Sequence, residues 1–167
     1  MNLQELKTMV QKGESAVLEL KRSTGQRTDA AKTVCAMLNG TGGFVVFGIT
    51  NAGEIIGQEL GLSTSDDVLR EIRRIEPPAF PDLETIQLEN SRVLLVLHVP
   101  AGGGPYTYDG RAYMRSGAST IVMPREVLQR QFLEKMHSSD RWETQLVLRH
   151  GIDELDHTEI VRTVEEA

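Results

Sequence analysis

Residues 40–57, GTGGFVVFGITNAGEIIG, decide the fold. Gly43 to Ile49 is apolar at almost every position. A strand with one wet face alternates polar and apolar residues, so an unbroken run belongs to a strand covered on both faces. Asn51-Ala52-Gly53 then marks a tight turn, with Gly53 free to take a positive φ angle. Residues 54–57 are expected to form the return strand. Upstream, Gly40-Thr41-Gly42-Gly43 has two readings: a backbone cradle for a phosphate, or a tight helix-to-strand turn. No Gly-Lys-Ser/Thr follows, so it is not a P-loop.

Outward towards the N-terminus, apolar positions at Ala31, Val34, Cys35 and Leu38 predict a helix capped by Thr28 and closed by Asn39-Gly40. Before it, Ala16, Leu18 and Leu20 alternate with Val17, Glu19 and Lys21, which predicts a strand with Glu19 and Lys21 on one face. Leu3, Leu6 and Val10 have helical spacing. Outward towards the C-terminus, a helix is expected over residues 65–76, stopped by Pro77-Pro78. Strands follow over 83–89 and 92–99, joined near Asn90-Ser91, and a hairpin pairs 106–108 with 111–115 around Asp109-Gly110. Pro124 opens a helix to about Met136, and a short helix near 157–165 has Asp156 as its cap. Helices and strands alternate early and strands dominate the middle. The fold class is α+β, a mixed sheet with helices packed on it.

The chain has 167 residues and is 40% hydrophobic, enough for one core. It has no run of eighteen apolar residues, and so no membrane partner is expected. A lone cysteine, Cys35, excludes an internal disulfide and fits a reducing cytoplasm. Residues 136–167 carry three arginines and eight acids, a net −5, so residues 1–135 hold only −1 of the total −6. The chain therefore reads as a body over 1–135 and an acidic helical extension over 136–167, leading to a further C-terminal region. A body this close to neutral can still carry a basic face.

Three groups of residues could carry chemistry. Glu14 and Glu19 could hold Mg²⁺ or Mn²⁺ for phosphodiester cleavage, because hard cations favour carboxylate oxygens. Against this stands the commoner arrangement, an exposed strand face with an ordinary Glu19–Lys21 pair. Arg111, Tyr113 and Arg115 alternate and so share a face, on which arginines could meet phosphates and Tyr113 could stack on a base. A solvent-facing sheet surface explains them equally well. Arg70, Arg73 and Arg74 lie among acids and read as a solvated helix face, while Cys35 and His98 read as structural.

In order and spacing, Glu14, Leu18-Glu19-Leu20-Lys21, Cys35-Ala36, Leu38-Asn39, Gly42–Ile49 and Gly53–Gly57 resemble the Schlafen AlbA-like domain family. Tyr113–Ser119 looks like that family's second block, and the likeness spans about residues 10–135. It implies a mixed α/β DNA-binding module at the N-terminus of bacterial and archaeal transcriptional regulators. On this reading phosphates are met by Lys21, Arg22, Arg111 and Arg115, and the partners are nucleic acid and a second copy of the chain. Eukaryotic relatives include endoribonucleases that use two glutamates and an aspartate. Glu14 and Glu19 match the glutamates, but Thr50-Asn51 stands where the aspartate belongs. That gap weighs against an enzyme. No cofactor is expected, and Mg²⁺ or Mn²⁺ enters only with the nuclease alternative. An interaction platform built on exposed strand edges is the third reading.

Overall fold

The computed structural model describes residues 2–89, 91–139 and 157–165. The chain divides into two compact units, Met1–Lys135 and Met136–Ala167. In the first, helix α1 (Leu3–Val10) leads to β1 (Leu18–Lys21), a short 3₁₀ turn (Thr24–Gln26), α2 (Arg27–Leu38) and β2 (Gly43–Phe47). Then come α3 (Thr64–Ile72), β3 (Ile75–Glu76), β4 (Asp82–Gln87) and β5 (Val93–Val99). Strands β6 (Thr107–Tyr108), β7 (Tyr113–Ser116) and β8 (Ser119–Val122) precede α4 (Arg125–Ser139). In the second unit lies α5 (His157–Glu165). The cap expected at Asp156 lies outside the described residues, as does Asn90.

The main sheet has the order β1-β2-β5-β4. β1 and β2 run parallel, joined through α2, while β5 is antiparallel to both β2 and β4. The fold is thus α+β with a mixed sheet. Its two faces explain the unbroken apolar runs. Val45 and Phe47 of β2 join Leu95 and Leu97 of β5 in a core with Val34, Cys35 and Leu38 of α2 and Ile72 of α3. Val46, Leu94 and Val96 point the other way, into a second core with Leu18 and Leu20 of β1 and Leu6 and Val10 of α1. The middles of β2 and β5 feed alternate residues into opposite cores, so Val45–Phe47 and Val93–Leu97 are buried on both faces.

The glycine turn before β2 is a packing device. A Cβ on Gly42 would sit 2.5 Å from the Val99 carbonyl oxygen, and one on Gly43 would sit 2.5 Å from that of Val17. The backbones approach too closely for any side chain, which favours the tight-turn reading of Gly40–Gly43 over a phosphate cradle.

Several expectations are corrected. Residues 54–57 form no strand; the turn closes through Thr50 N–H to the Glu54 carbonyl, and one bridge joins Ile49 to Ile55. α2 begins at Arg27 behind a 3₁₀ turn, so Thr28 is inside the helix and not its cap. α3 stops at Ile72, because Ile75 and Glu76 pair with Tyr108 and Thr107. The Asp109-Gly110 turn exists, with φ of 49° and 73°, but its ladder is a single pair, Tyr108 with Arg111. The longer hairpin is β7–β8, turning at Gly117-Ala118. His98 is half exposed and stacks on Phe44 with ring centroids 5.0 Å apart.

Candidate functional site

β1 is an edge strand, and its outward backbone groups need partners. Glu14 supplies one: its Oε1 accepts the Leu20 N–H at 3.0 Å. One residue to either side of Leu20, the strand's alternation turns Glu19 and Lys21 to the opposite face, where Arg115 of β7 lies. There Glu19 is 7% exposed, not part of an open face. Its Oε1 lies 2.5 Å from Lys21 Nζ and its Oε2 lies 2.7 Å from an Arg115 guanidinium nitrogen. Arg115 also donates to the Thr120 hydroxyl at 2.8 Å and to the Ser15 carbonyl at 2.6 Å.

Tyr113 and Arg115 do share a face, but that face looks into the protein. Tyr113 packs against the larger core and the Arg115 side chain is only 6% exposed. The open Arg–Tyr–Arg surface expected from the sequence is therefore not formed. Arg111 lies before β7 and is exposed. Lys21, 13% exposed, is held by Glu19. Tyr106 and Tyr108 belong to other contacts: the Tyr108 hydroxyl donates to Glu71, under Arg74, whose guanidinium lies 5.2 Å from the ring centre.

The carboxylates do not fit a divalent metal. Glu19 is spent between two cations, which would repel a third, and Glu14 is spent on a backbone amide. Thr50 and Asn51 add no charge. Among the described residues no group of three His, Cys, Asp or Glu side chains is placed to hold a metal ion.

Arg22 is where the sequence and the structure meet. It leaves β1 at its carboxyl end, is exposed, and makes no ion pair among the described residues. Two clefts share Arg22 and Ser23. One, of about 540 Å³, continues along Gly57, Gln58 and Arg92. The other, of about 580 Å³, continues along Gln26, Thr50 and Asn51. Both lie beyond the carboxyl ends of the parallel pair β1–β2, the place where sheets with parallel strands bind ligands. The loop between them is fastened from within. Arg22 N–H donates to Gln26 Oε1 at 2.8 Å, and Thr24 N–H donates to Gln58 Oε1 at 3.0 Å. That second bond fixes the Gln58 amide, leaving its Nε2 buried with no hydrogen-bond partner. Arg22, Arg92 and Ser23 bring donors to the clefts, and Glu59 brings one carboxylate to the first of them. Sequence reasoning found Arg22 but missed Gln58 and Arg92, which come from a loop and from the approach to β5.

None of the curated proteins compared with the chain matches it. Among solved structures, the DIP2311 protein of Corynebacterium diphtheriae is 23% identical, with a TM-score of 0.54 over 70% of this chain. The chain spans only 27% of that protein's length, and the likeness is one of fold. The N-terminal domain of an ATP-dependent DNA helicase RecG-related protein from Nitrosomonas europaea is also 23% identical. Its TM-score is 0.47, with 75% of this chain and 93% of that one covered. A family model described as Schlafen, AlbA_2 matches residues 14–124, from the glutamate that covers the edge of β1 to the proline before α4. The chain belongs to the Schlafen AlbA_2 family.

Proposed function

We propose that the chain is a nucleic-acid-binding module of a transcriptional regulator, with DNA as its ligand. The observation that carries this reading is Arg22, an exposed cation with no ion pair among the described residues, at the meeting of two polar clefts. Arg22 and Arg92 meet backbone phosphates, because guanidinium forks match phosphate oxygens. Ser23 and Gln58 add neutral donors, and Asn51 lines the adjoining cleft. Lys21 and Arg115, whose charges Glu19 already takes up, shape the strand end from behind and do not meet phosphates. Arg111 is a further exposed cation that a long ligand could reach. Family membership supports the reading, since the resemblance drawn above implies a DNA-binding module.

Fluorescence anisotropy of labelled duplex DNA tests it. Affinity should fall with salt along a log–log slope of about −0.9 per phosphate contacted. Arg22→Ala should weaken binding and shallow that slope by ~1. A chain that binds neither DNA nor RNA in a salt-sensitive way at low ionic strength is not such a module.

A further inference from the structure

At the other end of β1 and β2 lies a second enclosure that the phosphate-facing clefts do not use. It is a partly closed cavity of about 220 Å³ between the end of α2, β7 and the start of α4. Three methionines, Met37, Met114 and Met123, give it apolar walls. Four polar side chains line it as well, Asn39, Thr41, Arg115 and Gln131. The last two each keep one atom buried without a hydrogen bond: Arg115 Nε, a donor, and Gln131 Oε1, an acceptor. Neither can be relieved by turning the group round. The two terminal nitrogens of Arg115 are held by Glu19, Thr120 and Ser15. Gln131 Nε2 donates to the Asn39 carbonyl at 3.1 Å, which fixes its amide.

We infer that this cavity receives a single nucleobase, splayed out of the bound nucleic acid. Three properties of the ligand follow from the walls. It is small, because the cavity is below the size that holds a drug-sized molecule. It is apolar on its faces, because thioethers pack well against aromatic rings and adapt to their outline. It is neutral and offers both an acceptor and a donor, because the Arg115 charge is already matched by Glu19 and the two unused atoms are one of each kind. The Watson–Crick edge of a nucleobase has this pattern, and proteins that take up an unstacked base read it through that edge. The methionine side chains, each with several rotatable bonds, give way as the ring enters. The inference rests on the nucleic-acid reading and adds the part of the ligand that this end of the domain takes.

Methyl-¹³C labelling of methionine in the full chain tests it. Met37, Met114 and Met123 report on the cavity, and Met9 on α1 is the internal reference. Titration with each of the four ribonucleosides to ~10 mM, enough to fill a site with a Kd near 1 mM, should shift the three cavity methyls and leave Met9 in place. Val127→Trp, at a cavity-lining position on α4 away from the ion pairs, should abolish those shifts without loss of the folded spectrum. Ribose 5-phosphate should not reproduce them. Absent shifts with all four nucleosides, or equal shifts with ribose 5-phosphate, overturn the inference and leave a cavity filled by water. Salt-sensitive DNA binding measured in parallel separates the two ideas. If Arg22→Ala still weakens DNA binding while nucleosides do nothing, the base pocket falls and the nucleic-acid reading stands.

Discussion

Glu19 shows how far single residues can be read from sequence. Its pairing with Lys21 is local, two positions along one strand, and the alternation of β1 exposes it to inspection. Its pairing with Arg115 spans 96 residues and depends on β7 lying over the end of β1, so no pattern in the chain announces it. The same contact removes Arg115 from the outer surface. The energetic role of the cluster is asymmetric. A buried ion pair adds little net stability, but a buried charge that loses its partner is costly. Glu19→Gln leaves Arg115 and Lys21 facing a neutral amide and should destabilise the fold by about 3 kcal/mol, within the range for breaking a buried pair. Glu19→Leu combined with Arg115→Met removes both charges and should cost clearly less. Urea unfolding of the two variants decides the matter, and equal losses would mean that packing, not charge, holds β7 against β1. Asn39 is a second residue whose role is hidden in the sequence. It was legible as the end of α2, yet its side chain does more. Nδ2 donates to the Tyr106 and Tyr113 carbonyls at 2.8 and 3.0 Å, and Oδ1 accepts the Tyr106 N–H at 2.6 Å. Asn39→Ala should cost roughly 3 kcal/mol in the same assay, because it leaves partly buried backbone groups unpaired. Asn39→Asp keeps the acceptor but not the donors and should recover only part of that loss.

The elements that were legible are those with strong local signals. β2 and β5 were visible as unbroken apolar runs, and α2 as a 3.6-residue pattern, because both depend on which residues avoid water. β6 was expected within 106–108, but β3 and its pairing with β6 were not, since a two-residue strand has no period. The pair is held instead by a polar lock. Tyr108 donates to Glu71, and Arg74 reaches both Glu71 at 2.8 Å and Asp109 at 2.5 Å. Burial and the Glu71 partner push the Tyr108 phenol up to about 12. A group whose pKa is raised on folding contributes stability that is complete below its unfolded value, ~10 for tyrosine. That contribution is lost as the pH rises towards 12. Spectrophotometric titration should therefore show one tyrosine ionising late, and Tyr108→Phe should delete that phase. Glu71 behaves in the opposite sense. Burial would raise its carboxyl, but hydrogen bonds from Tyr108, Arg74 and Thr28 and the charge of Arg74 outweigh that and hold it below the usual carboxylate value. Its contribution is present above about pH 4.3, the unfolded value, and is lost as the pH falls below it. Glu71→Gln should flatten the acid limb of the stability curve; an unchanged limb would place the acid sensitivity elsewhere.

For the whole molecule, charge divides more sharply than fold. The body over residues 1–139 and the stretch over 140–167 carry −1 and −5 of the total −6. The two clefts at Arg22 therefore belong to a nearly neutral body, while most of the net negative charge that opposes a polyanion comes from the last 28 residues. Such a field acts at a distance and is screened by salt, with a Debye length near 10 Å at 0.1 M and about 30 Å at 0.01 M. A chain ending at Ser139 keeps α4 entire, and with it Gln131 and both phosphate-facing arginines. Deleting residues 140–167 should leave the unfolding midpoint of the body unchanged. It should raise affinity for duplex DNA several-fold at ~0.01 M salt and have little effect at ~0.3 M, where the repulsion is screened. The slope of log affinity against log salt should become steeper, since less repulsion then offsets the attraction between the body's cations and the phosphates. Anisotropy titrations of the two chains at matched salt read all three outcomes. An affinity gain that persists unscreened at high salt would show that the segment blocks the clefts by contact instead. No gain at any salt would show that the acids do not act on this interface, and that local cations such as Arg22 alone set its strength.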